Sequence, residues 1–419
     1  MSVWEDVVGQ EDACQIFRRA ACAGREVLRA QARARPQGRS DANSANSSTQ
    51  SHQAMTHAWL ITGPPGSGRS TAARAFAAAL QCEGEEVGCG QCEACRLVVA
   101  GTHADVTQMS TQRVIITIKE VAQLVERAQQ SPTLGKWTVI IIEDADRMIE
   151  RTSNLLLKAL EEPPPRTVWI ICAPSPQDIL TTIRSRCRNV NLAIPSFEAV
   201  ANLLVKRWDV DPQQALQAAH IGQAHIGMSA ALVRNPEKLE HRKENMTIAA
   251  DVRSTSDAIF AADELVKRIK KAVEKRTDEL NKQEKQELLC AVGYEDQKRL
   301  PPHVRSQLKI LEDDQKRRVT RFTRDYLDRL MLDLLALYRD VYTIQVGAHC
   351  DLINVDLTSL VKNLAQQSTP QASVYRMQVI AQARERIQTN AAPLLILEAM
   401  LVALRPQAAQ PMSAVLSIR

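Results

Sequence analysis

Three short apolar runs interrupt an otherwise helical pattern in the first half of the chain. Ala58-Trp59-Leu60-Ile61, residues 137–142 and residues 167–172 are continuous stretches of apolar and β-branched side chains. Such runs predict strands of a parallel sheet buried on both faces. Around them the apolar positions recur at helical spacing. Residues 11–28 carry Ile16, Phe17, Ala20, Ala21 and Val27 in this way; residues 118–130 end near Ser131-Pro132; residues 153–162 are stopped by Pro163-Pro164-Pro165. The alternation between residues 58 and 187 predicts an α/β domain of three layers.

Further along, no strand pattern remains. Helices are predicted near residues 197–207 and 212–219, then over 259–291, 309–342, 354–368 and 375–404. Lys267, Arg268, Lys270, Lys271, Lys275 and Arg276 are interleaved with Glu274, Asp278 and Glu279, which reads as a solvated helix face. Residues 35–53 offer almost nothing to bury, so a disordered surface insertion is expected there.

A length of 419 residues divides into two to four domains. The low aromatic content of 4% suits a helix-rich chain, and a net charge of +5 permits nucleic-acid contact without arguing for it. No apolar run approaches the ~20 residues of a membrane span, and the first residues lack signal-peptide character, so a cytoplasmic protein without membrane contact is expected.

The turn after the first strand reads Gly63-Pro64-Pro65-Gly66-Ser67-Gly68-Arg69-Ser70-Thr71 and leads into an alanine-rich helix. This is the setting of a phosphate loop, in which glycines let backbone N–H groups converge on an anion and the following helix points its positive end at it. Arg69 stands where lysine belongs, and its planar head does not replace a compact ammonium. Ser70 is the candidate ligand for Mg²⁺ beside ATP. A plain glycine turn without ligand is the competing reading. The strand at 137–142 ends in Glu143-Asp144-Ala145-Asp146, the place where a phosphate-loop enzyme keeps its metal-associated and water-activating carboxylates.

Cys82, Cys89, Cys92 and Cys95 lie close enough in sequence for four thiolates to enclose a structural Zn²⁺. A redox pair is the alternative. The remaining six cysteines are scattered singly, as suits a reducing compartment. His220 and His225 have no metal-like partners and are set aside.

The order of Glu5 to Gln10, the glycine loop, the four cysteines, Ile142-Glu143-Asp144-Ala145-Asp146, the Ser153 to Pro164 helix and Ser185-Arg186-Cys187 resembles the AAA+ subunits of the bacterial DNA polymerase III clamp loader. Within that family the delta prime branch, in its actinobacterial form, is most similar. The resemblance implies an AAA+ P-loop core over 1–192 with a zinc module at 82–95, a small helical lid over 193–248 and an all-α collar over 249–419. It also implies a hetero-oligomer with motor (gamma/tau) and delta subunits that opens the sliding clamp and places it on primed DNA, as part of a DNA-directed DNA polymerase holoenzyme.

Gly63, Gly66, Gly68, Arg69, Ser70, Thr71, Glu143 and Asp144 would then form the nucleotide site, and Arg186 would face a neighbour's nucleotide as an arginine finger. The departures from the family pattern all fall on the chain's own site. Glu143 replaces the first acid, Asp144 stands at the catalytic glutamate, Pro174 follows the strand that should end in a sensor threonine, and Ala230 occupies the sensor-arginine position. Arg186 is intact. This asymmetry implies a stator with little or no turnover, the alternative being an ATP-hydrolysing motor subunit.

Overall fold

The computed structural model describes residues 2–34, 55–110, 115–293, 301–387 and 391–406; the insertion expected at 35–53 lies outside them. Two compact units are present, residues 1–233 and 234–419.

The first unit is built on a five-stranded parallel sheet of order β2-β3-β4-β1-β5. Its strands are β1 (Ala58–Thr62), β2 (Val106–Met109), β3 (Thr138–Ile142), β4 (Thr167–Ala173) and β5 (Arg188–Asn191). Every residue of β1, β3 and β4 is buried, as continuous apolar runs require when both faces are covered. The faces separate by residue parity. Trp59, Ile61, Val139, Ile141 and Ile170 pack with Phe17 of α1 (Glu11–Ala34) and Phe76 of α2 (Arg69–Gln81). The rings of Phe17 and Phe76 stack at 4.8 Å, and Trp59 meets Phe76 edge-on at 4.9 Å.

Leu60, Ile140, Ile142, Trp169 and Ile171 face the other way. They pack with Val121 and Leu124 of α4 (Ile118–Ala128) and with Leu156 and Leu160 of α5 (Glu150–Glu161). Alternate residues of one strand thus serve two cores, and the three-layer expectation holds. A short α3 (Glu93–Ala100) follows α2, and one turn, α6 (Thr181–Arg184), precedes β5. The unit closes with α7 (Phe197–Trp208), α8 (Pro212–Ile221) and α9 (Ile226–Arg234).

The second unit is all helical among its described residues: α10 (Pro236–Ala250), α11 (Thr255–Val292), α12 (Pro302–Gln345), α13 (Thr358–Gln367), α14 (Pro370–Ile387) and α15 (Pro393–Leu404). At 38 and 44 residues α11 and α12 are roughly 57 and 66 Å long. The apolar core uses the first half of α11 (Ala258 to Val273) and the second half of α12 (Leu327 to Val341). The other halves are joined by polar contacts, with Arg318 donating to Glu284 at 2.6 Å and to Asn281 at 2.8 Å. Among the described residues no helix is long and apolar enough to cross a membrane.

Candidate functional site

β1 delivers the glycine loop at the C-terminal edge of the sheet. The Gly63 amide donates to the carbonyls of Ala173 and Pro174 at 3.3 and 3.2 Å, fixing the loop's entry against the end of β4. Gly66 and Gly68 take φ of 92° and 88°, where a side chain would be strained. No acidic residue occupies the first turn of α2 and Gly68 provides no side-chain cap, so the helix's positive end is left for an anion. Ser70 and Thr71 lie in that turn. Arg69 turns back: its Nη1 donates to the Gly63 carbonyl at 2.6 Å. The buried Ser67 Oγ has no hydrogen-bond partner among the described residues.

β3 brings Glu143 and Asp144 to the same edge. Glu143 accepts from Gln108 Nε2 at 2.7 Å, and Asp144 sits in the left-handed region with φ of 51°. Asp146 also belongs here. Burial raises its carboxyl pKa, Asp144 pushes it the same way, and Arg69 is near enough to oppose them. Burial likewise pushes the Cys172 thiol up to about 12, with Glu143 adding to the effect and Arg69 opposing it. The arginine of one loop and the acids of another thus share a field. The sequence reading did not select Asp146, although its place two residues beyond Asp144 was visible.

His225, set aside from sequence, sits over the loop. A Cβ on Gly66 would come within 2.7 Å of its ring and 2.8 Å of its Cα. Its Nδ1 accepts from the Met228 amide at 3.3 Å at the start of α9, which fixes the ring and leaves the proton of the neutral form on Nε2. Buried Gln10 ties the N-terminal segment to the same region, with Nε2 donating to the Ala193 carbonyl at 2.6 Å and Oε1 accepting from the Ala193 amide at 3.0 Å.

Cys82, Cys89, Cys92 and Cys95 converge so that their sulfurs all lie within 4.8 Å of one another. Cys82 and Cys89 are 3.7 Å apart at sulfur; four ligands at about 2.3 Å from a tetrahedral Zn²⁺ would be ~3.8 Å apart. The amides of Cys92 and Cys95 donate to the sulfurs of Cys89 and Cys92 at 3.4 Å, as thiolate character favours. Burial raises the Cys92 pKa, but the N–H groups of Glu83 and Cys95 outweigh it and bring the value down to about 6. These sulfurs can hold a metal ion. Gly84 is obligatory, since a Cβ there would lie 2.9 Å from Cys89 Sγ. The N-terminal segment pins the module, with Trp4 Nε1 donating to the Val87 carbonyl at 3.1 Å.

Arg186 lies apart from the glycine loop's contacts, just after α6. It is ion-paired with Glu161, donates to the Thr182 carbonyl at 2.7 Å, and is exposed.

A family model described as DNA polymerase III, delta subunit, matches residues 40–196. DNA polymerase III subunit delta' of Pseudomonas aeruginosa is 35% identical over 165 residues, which cover 38% of this chain and 50% of that protein. Over residues 40–196 the chain is thus similar to DNA polymerase III delta-type subunits, delta' among them. Subunit delta' of Bacillus subtilis is 26% identical over 339 residues, covering 80% of this chain and 87% of that protein. Subunit tau of Bacillus subtilis is 27% identical over 208 residues, covering 49% of this chain and 36% of that protein. The match thus spans about half the length of the first of these relatives.

Proposed function

We propose that this chain is a non-motor AAA+ subunit of a DNA polymerase III clamp loader, acting in the cytoplasm to help place a sliding clamp on primed DNA. The observation that carries the reading is Arg69. In a phosphate loop the cation at this position meets the β- and γ-phosphates. Here its guanidinium is bound to the loop's own Gly63 carbonyl. An ATP bound by Gly63, Gly66, Gly68 and Thr71, with Mg²⁺ on Ser70 and Glu143, would have to compete with that contact. Asp144, one methylene shorter than glutamate, would be a poorly placed base, and displacement at that scale costs orders of magnitude in rate.

In this reading α7 to α9 form a lid carrying His225 over the loop, and the helices beyond residue 249 form a collar that assembles with gamma/tau and delta subunits. Arg186 acts on a neighbour's nucleotide. Zinc on Cys82, Cys89, Cys92 and Cys95 supplies a structural crosslink for a loop that has no core of its own. The tau relative supports a second reading, a motor subunit, because its similarity extends over 49% of this chain. ATP turnover by the isolated chain separates the two. A stator shows negligible hydrolysis, and addition of the chain to motor, delta and clamp subunits restores clamp loading on primed DNA. Motor-like hydrolysis by the chain alone would replace the first reading with the second.

A further inference from the structure

Among its described residues the second unit buries three arginines deeply, and they are not treated alike. Arg242, 7% exposed, has Asp333 at 3.2 Å and Asp356 at 3.6 Å. Arg318, 6% exposed, has Glu284. Arg376 of α14, at 4% the most buried of the three, has no carboxylate partner among the described residues. Its Nε donates to the Leu404 carbonyl at 3.1 Å, and its guanidinium carbon lies 5.4 Å from the centre of the Tyr338 ring. A carbonyl and a ring face offset part of the desolvation of a cation but neutralise no charge.

The Nη nitrogens of Arg376 make no hydrogen bond among the described residues, yet they are not sealed in the core. Arg376 lines a cavity of about 110 Å³, together with Arg253, Asn363, Gln367 and Ser368. One ordered water needs only ~10–15 Å³ by the same measure, so the space holds a polyatomic ion. Asp251 lines the cavity as well, so two arginines and one aspartate are among its lining residues.

We propose that this cavity is an anion site that takes a small phosphate-type oxyanion, with Arg376 as the buried donor fork. A guanidinium presents parallel N–H bonds that match such an oxyanion, and the neutral amides and hydroxyl around it can donate to the remaining oxygens. The anion supplies the counter-charge that the described residues give Arg242 and Arg318 but not Arg376.

The test uses the full chain with Arg69→Ala and Ser70→Glu, which puts a carboxylate in the first turn of α2 and repels phosphate from the glycine loop. Inorganic phosphate is titrated by calorimetry against chloride and acetate at equal ionic strength. One saturable phosphate site per chain is expected, weakened about tenfold or more by Arg376→Gln. Should that variant not fold, Asn363→Glu decides: a carboxylate in the cavity should abolish phosphate binding and raise the melting temperature. Phosphate binding no stronger than chloride or acetate, or binding that survives both substitutions, would overturn the proposal.

Discussion

Glu161, the last residue of α5, forms an ion pair with Arg186 beyond α6, so the candidate finger is held by an acid of its own chain. Both side chains are well exposed, and pairs of this kind contribute about 0–1 kcal/mol. A finger acting on a γ-phosphate supplies ~10³–10⁵ in rate, or roughly 4–7 kcal/mol. The pair therefore positions Arg186 without locking it away. Glu161→Ala should change unfolding stability by less than about 1 kcal/mol in urea and leave turnover of an assembled complex intact. A large loss of turnover would show that the pair itself is needed.

Arg184 and Arg188 flank Arg186 but are not equivalent surface charges. Arg188 lies over the Trp59 ring at 5.1 Å, and Arg184 Nη1 donates to the Pro176 carbonyl at 3.4 Å. Arg188→Ala should destabilise the first unit by about 0.5–2 kcal/mol through the lost ring contact, whereas Arg186→Ala should not. Thermal unfolding of the three alanine variants checks this before any turnover is compared.

Gly66 faces two separate obstacles to a side chain, its φ of 92° and the His225 ring. Gly66→Ala should therefore destabilise by about 1–3 kcal/mol. Adding His225→Ala removes only the ring contact and leaves the close approach to the Cα at 2.8 Å as well as the backbone strain, so the double variant should recover only a small part of the loss. Full recovery in denaturant titrations would mean that the backbone carries no strain.

One zinc per chain is expected by elemental analysis. Cys95 is fully buried, with Sγ 3.6 Å from the Ala78 carbonyl of α2, so loss of the metal should reach the helix that follows the glycine loop. Cys95→Ser should abolish stoichiometric zinc and lower the melting temperature, and a chelator should do the same to the native chain. A metal-free protein of unchanged stability would remove the structural role.

Asp105 is buried and accepts from the amides of Thr133 and Leu134 at 2.7 and 2.8 Å, and from Gly135. Burial pushes its carboxyl up, but these three N–H groups outweigh it and hold the pKa below the ordinary value. A depressed folded-state pKa stabilises above the unfolded value of ~3.9 and is lost as pH falls through the folded one. Asp105→Asn should cost about 1–3 kcal/mol near neutral pH, with the difference from the native chain shrinking below pH ~4.

The central strands were legible because burial on both faces demands unbroken apolar runs, as 167–172 shows. The edge strands were not. β2 reads Val-Thr-Gln-Met and β5 reads Arg-Asn-Val-Asn, short and polar because a sheet edge meets water on one side. The four cysteines and the glycine loop were legible because their chemistry is local in sequence. His225 was hidden because its relation to Gly66 spans 159 positions and depends on how α9 begins, which no spacing records. The fold-back of Arg69 onto Gly63 is a rotamer choice that residue identity does not dictate.

As a stator, this chain would complete a neighbour's nucleotide site rather than its own. The direct measurement is ATP turnover, stimulated by clamp and primed DNA, in a complex reconstituted with motor and delta subunits. Two variants are compared with the native chain: Ser70→Ala, which impairs its own loop, and Arg186→Ala, which removes the arginine offered to a neighbour. The account predicts unchanged turnover for Ser70→Ala and a clear loss for Arg186→Ala, smaller than the single-site factor because other sites keep their own fingers. Loss with Ser70→Ala and none with Arg186→Ala would contradict it.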